Sequence, residues 1–369
     1  MQIGIVGLPQ VGKSTVFTLL VGGGAAAAGS GASTHRTGSQ VGVARVDDPR
    51  VDRLAEIFHP RKTTYAQLEV VDLPGYAQVG TARPEQARMV LAALRDVDAL
   101  IQVVRAFRNP TVPPALEEID PARELTSLQD ELQVSDYQVL QSRLERIHKG
   151  GKRGAGAATA RAGETELLER CSTCLEEGRP LRTLRLTEAE ERFLRGFDFL
   201  TFRPTLVVVN LDERQWREQK YPGQAELLAR AAASGFPVVP VCGELEQELT
   251  QLAPEEQAEF AAAWGIQESG SARIARATYA HLGLISFFTA GEDEVKAWTI
   301  RAGTRAQEAA GKIHSDIARG FIRAEVISYA DLVRLNGSWA AAREQGLLRS
   351  EGKEYVMQDG DVVNFRFNV

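Results

Sequence analysis

The residues best suited to chemistry lie in the stretch GLPQVGKS, residues 7–14, which fits the pattern G-x-x-x-x-G-K-[ST]. An apolar run that predicts a strand precedes it at 2–6, and a helix is predicted from about Lys13, which is the context that the motif requires. Gly7 and Gly12 allow the backbone to curl so that successive N–H groups point at a β-phosphate, where the helix start adds partial positive charge. The stretch therefore predicts a site for a nucleoside triphosphate rather than a chance glycine-rich turn.

Three side chains of this stretch have predicted roles toward the triphosphate and Mg²⁺. Lys13 would reach the β- and γ-phosphate oxygens, Ser14 would supply a Mg²⁺ ligand, and Thr15 would lie near the α-phosphate. A threonine from the loop after the first helix usually completes the Mg²⁺ shell. Thr34 and Thr37 are both candidates for this ligand, and we favour Thr37.

A second motif, VVDLPG at 70–75, ends another apolar run. Asp72 would hold Mg²⁺, commonly through water, and the Gly75 N–H would contact the γ-phosphate, so that losing this phosphate releases the loop. Tyr76 stands where Ras-like enzymes place the Gln that orients the attacking water. Because tyrosine has no amide, hydrolysis must rely on another group, on Mg²⁺ and backbone alone, or on a partner, and we expect it to be slow.

The stretch NLDE, 210–213, follows an apolar run at the place where GTP-binding proteins often carry Asn-Lys-x-Asp, the tetrad that reads guanine. Leu211 replaces the Lys, and Glu213 is one methylene longer than the Asp that accepts from the two guanine donors. Asn210 can still hydrogen-bond either purine, and Leu211 can make an apolar contact with a base. The stretch therefore favours ATP, with GTP weaker, although a plain helix cap and turn is the alternative.

Alternating strand and helix patterns place these motifs at strand ends. Short apolar runs predict strands at 66–72, 99–104 and 205–210, with a helix over about 84–95 between the first two. This alternation predicts βαβ units and a mostly parallel sheet, that is, an α/β fold.

A helical insertion interrupts this pattern. Apolar residues step by three and four over 125–147, GGKRGAGAATARAG breaks the pattern at 150–163, and a second helical run follows over about 164–177. Two antiparallel helices would form a coiled-coil hairpin, whose basic tip would meet RNA or an acidic partner or would simply be a solvated loop. The basic residues of the tip are Lys149, Lys152, Arg153 and Arg161.

The C-terminal residues have a third pattern, in which short strands surround one helix and predict a small α+β domain of β-grasp type. The predicted domains are a nucleotide-binding domain at 1–122 and 201–282, the inserted hairpin at 123–200, and the α+β domain at 283–369.

Composition narrows the class of protein. No apolar run of about 18 residues occurs, so we expect no membrane span, and MQIGIVG at the start lacks the pattern of a signal peptide. Three cysteines argue for a reducing cytoplasm, and CSTC at 171–174 reads as apolar helix core rather than a metal site. A net charge of −6 does not suggest a chain bound everywhere to nucleic acid, but it does not exclude a local basic face. We expect no DNA partner.

Six stretches, which cover the chain nearly end to end, together resemble the Obg-like ATPase (YchF) family. They are GLPQVGKST (7–15), VGVARVDDPRVDRLAEIFHP (41–60), FLTFRPTLVVVNLDE (199–213), PVCGELEQEL (240–249), FFTAGEDEVKAWTIRAGTRAQEAAGKIHSDIARGFIRAEVISY (287–329) and EGKEYVMQDGDVVNFRFNV (351–369). The resemblance implies a P-loop GTPase-type sheet with an inserted coiled-coil hairpin and a C-terminal TGS domain. It also implies preference for ATP over GTP, association with ribosomes, and a monomer.

Carried over by position, the resemblance implies a set of nucleotide contacts in which Asn210 would hydrogen-bond the base and Leu211 would lie beside the adenine. The set is Gln10, Val11, Gly12, Lys13, Ser14, Thr15, Asn210 and Leu211.

The chain departs from the family close to the expected reaction. Gln10 stands in place of the usual Asn, Pro74 in place of Ala, and Thr37 lies one position away from the expected threonine. The loop RNPTVPPALEEID at 108–120 lacks the His that the family is proposed to use in catalysis. These departures leave open which group activates water and which threonine binds Mg²⁺. They do not affect the expectation that the chain binds a nucleotide.

We expect an ATP-binding, slowly ATP-hydrolysing switch that uses Mg²⁺ and associates with ribosomes or RNA through its hairpin and TGS domain. A GTPase of the same fold, and a module that senses ATP with negligible hydrolysis, are the alternatives.

Overall fold

The strands and helices confirm most of the predicted elements. The computed structural model describes residues 1–22, 33–34, 40–73, 84–113, 115–116, 118–149 and 155–368. Thr37, Gly75 and Tyr76, with Pro74 and two residues of the predicted basic tip, Lys152 and Arg153, lie outside the described residues.

The strands are numbered in chain order. They are β1 (Gln2–Val6), β2 (Ser33–Thr34), β3 (Gln40–Val46), β4 (Lys62–Thr64), β5 (Ala66–Asp72), β6 (Ala99–Arg105), β7 (Thr205–Asn210), β8 (Val238–Val241), β9 (Leu284–Ala290), β10 (Glu294–Arg301), β11 (Phe321–Ser328), β12 (Arg349–Glu351) and β13 (Asp361–Phe367).

The helices are numbered in the same way. They are α1 (Lys13–Gly22), α2 (Pro49–Phe58), α3 (Pro84–Arg95), α4 (Pro121–Lys149), α5 (Ala155–Glu176), α6 (Glu188–Leu194), α7 (Glu213–Glu218), α8 (Gln224–Ala233), α9 (Gly243–Gln251), α10 (Pro254–Ala263), α11 (Gly270–His281), α12 (Ala306–Ile313), α13 (Ser315–Arg319), α14 (Tyr329–Arg334) and α15 (Trp339–Glu344). Short 3-10 helices lie at Leu181–Thr183, Arg195–Phe197 and Leu200–Phe202.

The described chain divides into two units. The first contains Met1–Gly42 and Glu69–Ser271, and the second contains Val43–Leu68 and Ala272–Val369. The predicted division into three domains stays a prediction. In the second unit, residues 43–68 pack with the C-terminal part of the chain.

A seven-stranded sheet runs in the order β2-β3-β5-β1-β6-β7-β8. β1 pairs in parallel with both β5 and β6, and β7 pairs in parallel with β6 and β8, which confirms the predicted mostly parallel sheet. Every residue of β6 and β7 is buried, as expected for central strands with helices on both faces. The carboxyl ends of β1, β5 and β7, where the sequence motifs lie, therefore meet at one edge of the sheet.

Helices α4 and α5 pack as an antiparallel hairpin within the first unit. Tyr137 bonds to Glu176, whereas Arg143, further along α4, bonds to Glu164, nearer the start of α5. Cys171 and Cys174 are buried in the apolar core of this hairpin, as the sequence predicted. The prediction that 150–163 interrupts the helices was wrong in part, because α5 already begins at Ala155. The alanines of AGAATARAG have high helix propensity, which outweighs the glycines.

The second unit contains a six-stranded sheet in the order β12-β11-β13-β9-β10-β4. β9 and β10 form an antiparallel pair, β11 pairs with β12 and β13, and β4 adds in parallel to β10. Helix α2 packs against β9 and β10. The sheet and its short helices confirm the predicted C-terminal α+β region. Across the described residues, no helix is long and apolar enough to span a membrane.

Candidate functional site

The loop at residues 7–14, called the P-loop below, has the backbone conformation that its glycines predict. Gly12 has φ of 89°, and a Cβ at this residue would lie 2.2 Å from the Asn210 side-chain nitrogen. A Cβ on Gly7 would lie 2.6 Å from the carbonyl oxygen of Val103. Gln10 also has a positive φ, 64°, a region that glycine and asparagine adopt more readily than glutamine. The departure from Asn at this position therefore puts an unfavourable residue in a left-handed turn.

Lys13, Ser14 and Asp72 come together where the P-loop meets the end of β5. The parallel pairing of β1 with β5 aligns Ile5 with Asp72, which brings the carboxylate beside the start of α1. Lys13 Nζ forms an ion pair with Asp72 Oδ1, and both side chains are 13% exposed. Ser14 Oγ donates to Asp72 Oδ2 at 3.3 Å. The sequence motifs thus identified three groups that the fold places in contact.

The side chains of this cluster suit Mg²⁺. A serine hydroxyl and a carboxylate are hard oxygen donors, which Mg²⁺ prefers. In the part of the chain that the structure describes, no three His, Cys, Asp or Glu side chains converge as a metal site. Mg²⁺ bound beside a triphosphate usually shares its coordination shell with phosphate oxygens and water. The third predicted ligand, Thr37, and the backbone group of Gly75 lie outside the described residues.

The Asn210 amide joins three segments of the site. Its Nδ2 donates to the carbonyl oxygen of Val11 at 3.1 Å, and its Oδ1 accepts from the Gly243 N–H at 3.1 Å. Asn210 is 5% exposed, and a Cβ on Gly243 would lie 2.8 Å from the Thr15 side chain. Asn210 therefore holds the P-loop against the start of α9, a role that the sequence did not reveal. Its predicted hydrogen bond to a base stays a prediction.

The rest of NLDE divides between core and helix cap. Leu211 is 3% exposed and packs in the core beside Trp216 and Leu227. Asp212 caps α7, because its carboxylate accepts from the Gln215 N–H at 2.9 Å. Glu213 begins α7 and is half-buried. Burial, aided by the charges of Glu213 and Glu244, raises the pKa of Cys242 to about 11, against the opposing effect of backbone hydrogen bonds from Leu245 and Glu244. The predicted contact of Leu211 with adenine stays a prediction. The alternative, that this stretch is a plain helix cap and turn, applies to Asp212.

A buried arginine orders the loop after β6, where the family resemblance implied a histidine. The Arg105 guanidinium donates to the carbonyl oxygens of Phe107 at 3.2 Å, Val112 at 2.7 Å and Pro113 at 3.1 Å. It also lies over the Phe107 ring, 4.2 Å from the ring centroid. The Arg105 N–H donates to Glu124 of α4 at 2.7 Å. Neither the ordering of this loop nor the contact with α4 was predicted, although an arginine at the end of an apolar strand was a visible signal.

Known proteins match this chain over its whole length. A family described as "50S ribosome-binding GTPase" matches residues 2–139, and one described as "Protein of unknown function (DUF933)" matches residues 284–368. The "Ribosome-binding ATPase YchF" of Bacillus subtilis (strain 168) is 38% identical over 370 residues, covering 100% of both chains. The protein of the same name from Escherichia coli O157:H7 is 38% identical over 368 residues, covering 100% of this chain and 99% of that one.

A solved structure supports the fold over the same length. The Schizosaccharomyces pombe YchF GTPase superposes with a TM-score of 0.87 at 30% identity, covering 99% of this chain and 97% of that one. This match confirms the predicted P-loop GTPase-type α/β sheet with a C-terminal β-rich region.

Proposed function

Because the chain belongs to the YchF family, we propose that it binds ATP at the P-loop, hydrolyses it slowly and acts as a regulatory switch on the ribosome. The observation that carries this proposal is the convergence of Lys13, Ser14 and Asp72 at the carboxyl edge of a parallel sheet. The two full-length bacterial relatives are named ribosome-binding ATPases, which supports both the reaction class and the partner.

The P-loop residues bind the triphosphate, and the Lys13 side chain changes its partner when they do so. Lys13 is paired with Asp72, so it must exchange this carboxylate for phosphate oxygens when ATP binds. Ser14 and Asp72 would hold Mg²⁺, which when bound neutralises charge on the β- and γ-phosphate oxygens. The N–H groups at the start of α1 add donors that favour the anion.

Hydrolysis is expected to be slow because the sequence lacks the usual water-orienting residues at the two positions where the family and its relatives in fold place them. Tyr76 has no amide, and the segment 108–120 contains no histidine. The Arg105 guanidinium is engaged by carbonyl oxygens of its own loop, so it is not the missing group. A ribosomal partner that completes the site would raise the rate, as partner residues do for other P-loop enzymes.

The switch would couple the γ-phosphate to the loops that contain Thr37 and Gly75. ATP would hold these loops, and hydrolysis would release them. The hairpin of α4 and α5 and the second unit would transmit the state to the ribosome. Thr37 is proposed as a Mg²⁺ ligand, and the Gly75 N–H as the contact to the γ-phosphate.

Competition between ATP and GTP for the purified protein with Mg²⁺ tests the base preference. We expect ATP to bind at least tenfold more tightly, about 1.4 kcal/mol, and Glu213→Asp with Leu211→Lys to shift the preference toward GTP. Leu211→Lys places a charge in the core and is expected to lower stability, so Glu213→Asp is also measured alone. Glu218→Asp, the same change at an exposed position of α7, is the matched control.

Equal or tighter GTP binding by the parent protein would overturn the ATPase proposal in favour of a GTPase, the name that the Schizosaccharomyces pombe relative carries. Turnover no faster than that of Lys13→Ala, in a parent protein that still binds ATP tightly, would support the second candidate. That candidate is a module that senses ATP without hydrolysing it, and the absence of a histidine at 108–120 favours it.

A further inference from the structure

A groove of about 480 Å³ lies in the second unit, where the turn between β9 and β10 meets the end of β13. Among the described residues that line it, three are acidic and none is basic. The acidic residues are Glu292, Asp293 and Glu294, and the apolar ones include Ile317, Phe365 and Phe367. We call this cavity the acidic groove.

β13 is longer than its neighbour β9 at this end of the sheet. Val362 of β13 lies opposite Phe288 of β9 in a parallel pair. The same register places Asn364 opposite Ala290, where β9 ends. Because β13 continues to Phe367, its last three residues extend beyond β9, and in the described chain no other strand pairs with that edge. The acidic groove is therefore the space that a longer β9 would fill.

The free edge of β13 presents backbone hydrogen-bonding groups to the groove. The Asn368 N–H donates to the Gly320 carbonyl oxygen at 2.9 Å, on the side of β11. Because successive backbone groups of a strand point to opposite edges, those of Phe367 point toward the groove. Asn364 and Phe365, whose side chains lie on opposite faces of the sheet, both line it. The groove is thus a notch through the sheet, and an extended chain can pair with its edge.

The turn between β9 and β10 gives the groove a negative wall. Asp293 is 89% exposed and lies 3.4 Å from Arg61, which is 86% exposed. Glu294 lies 3.5 Å from Lys62, which is 72% exposed. Ion pairs this exposed contribute little, so basic groups of a partner can take the place of Arg61 and Lys62 without a large loss.

The floor of the groove is apolar. Phe367 is 41% exposed although it belongs to a strand, and Ile317 of α13 lines the same cavity. A segment that binds here needs apolar side chains for this floor and basic side chains for the acidic wall. Nucleic acid and acidic segments would be repelled by the wall, so charge complementarity selects a basic chain.

We propose that the acidic groove binds an extended, basic segment of a partner protein, which adds as a short strand along the free edge of β13. Lys or Arg side chains of this segment would face Glu292 and Asp293, and its apolar side chains would contact Phe367. The inference goes beyond the proposed function, because neither the P-loop nor the nucleotide takes part in it.

The first experiment measures the binding of three short fluorescent peptides to the full chain by anisotropy. One peptide alternates Lys with Val, the second has Glu in place of each Lys, and the third has Pro in place of each Val. Proline keeps the charge of the first peptide but removes N–H groups and strand formation. We expect the Lys–Val peptide to bind at least about tenfold more tightly than either of the others. Equal binding of the Lys–Pro peptide would overturn the proposal, because charge alone would then explain binding.

Variants of the wall and the floor test the two kinds of contact. Glu292→Gln with Asp293→Asn should weaken binding of the Lys–Val peptide about fivefold. The matched control is Glu308→Gln with Glu344→Gln, which removes the same charge from exposed positions of the same unit and should leave the affinity unchanged. An equal loss in both double variants would contradict the proposal.

Phe367→Ala should also weaken binding, by about fivefold, because it removes apolar area from the floor. Ile322→Ala is its control, since Ile322 is 59% exposed in the same sheet but does not line the groove. Binding that falls equally in both variants would show that exposed apolar surface in general holds the peptide, and the groove would lose its role.

Amide exchange locates the bound peptide in the parent protein, so this measurement decides the question even if a variant folds poorly. The Lys–Val peptide should slow exchange at the end of β13, over residues 365–367, and leave the edge strands β4 and β12 unchanged. Protection of β4 or β12 without protection of β13 would overturn the assignment.

A second copy of this chain is the competing occupant. Sedimentation of the parent over a range of concentrations detects self-association, and we expect none that depends on Phe367. Association that Phe367→Ala abolishes would mean that the groove is an interface between copies, and it would replace the proposal of a basic partner.

Discussion

At the residue scale, Glu124 is a buried carboxylate that the chemistry of the P-loop does not use. It is 2% exposed, and its Oε2 accepts from the Arg105 N–H at 2.7 Å. Among the described residues, none donates a hydrogen bond to its other oxygen. Burial, aided by the charge of Asp120, raises the pKa of Glu124 to about 7, against the opposing effects of the Arg105 hydrogen bond and charge. The folded protein therefore holds this proton more tightly than the unfolded chain does.

The pKa of Glu124 predicts a pH dependence of stability. Its contribution to the free energy of unfolding is fully present below about pH 4.5, the unfolded pKa, and is lost as pH rises through the folded pKa near 7. At 1.36 kcal/mol per pKa unit, the loss amounts to about 3 kcal/mol. Glu124→Gln does not titrate, so its stability relative to the parent should increase by 2 to 3 kcal/mol, roughly, between about pH 5 and pH 8.

Urea denaturation of both proteins at the two pH values measures this difference. Glu169→Gln, an exposed glutamate of α5, is the control and should follow the parent at each pH. Parallel pH profiles for the parent and Glu124→Gln would mean that Glu124 is not protonated in the folded state near neutral pH.

The residues around the P-loop differ in how far a sequence can predict their contacts. A local motif predicted Lys13 and Ser14, and a position at a strand end predicted Asp72, and the fold brings these three side chains into contact. The clamp formed by Asn210 joins residues 199 positions apart in the chain, and no periodicity encodes such a contact. Arg105 was missed for the related reason that its partners are backbone carbonyls, which carry no residue identity.

At the element scale, Asp136 attaches the helical hairpin to the strand that ends in Asn210. It lies on α4, is fully buried, and accepts from the N–H groups of Leu200 and Thr201 at 2.9 Å and 2.7 Å. Thr201 Oγ1 also donates to it at 2.8 Å. These donors belong to the 3-10 helix at Leu200–Phe202, shortly before β7, so one side chain fixes where the hairpin rejoins the sheet.

Removing this carboxylate should loosen the junction. Asp136→Ala leaves three buried donors without an acceptor, and we expect a loss of about 3 kcal/mol in the free energy of unfolding. Asp136→Asn keeps one acceptor oxygen and should lose less. Amide exchange in Leu200–Phe202 and at the start of β7 should accelerate in the alanine variant, whereas β9 and β10 stay protected. Slow exchange at 200–202 in the alanine variant would show that packing, not Asp136, holds the junction.

Helix and strand periods predicted most elements because each period reflects one local geometry. β5 and α3 have the predicted bounds, 66–72 and 84–95. The start of α5 was misplaced because glycines at 150–163 were read as an interruption, while helix propensity and packing against α4 extend the helix to Ala155. The 3-10 helices before β7 were not predicted, because they depend on the buried Asp136 carboxylate rather than on a repeating pattern.

At the scale of the whole molecule, residues 43–68 belong with the C-terminal unit although they lie near the start of the chain. β4 adds to the edge of the second sheet, and α2 packs on β9 and β10. Arg50 of α2 bridges Asp48 at 2.8 Å and Asp359 at 2.7 Å, and these ion pairs keep its pKa above its ordinary value, against the opposing effect of burial. Contacts across some 300 positions, such as that between Arg50 and Asp359, leave no local pattern in a sequence.

This arrangement predicts where a core mutation near the N-terminus acts. Leu54 of α2 is fully buried, so Leu54→Ala should cost about 2 to 5 kcal/mol in the unit to which it belongs. Amide exchange followed by mass spectrometry should then show faster exchange in β9 and β10, with β6 and β7 unchanged.

Leu206→Ala in β7, equally buried, is the reciprocal control and should accelerate exchange in β6 and β8 instead. Faster exchange in β6 and β7 for Leu54→Ala, with β9 and β10 protected, would contradict the assignment of residues 43–68 to the second unit. The expected result would mean that a segment between the P-loop and Asp72 contributes to the stability of the second unit.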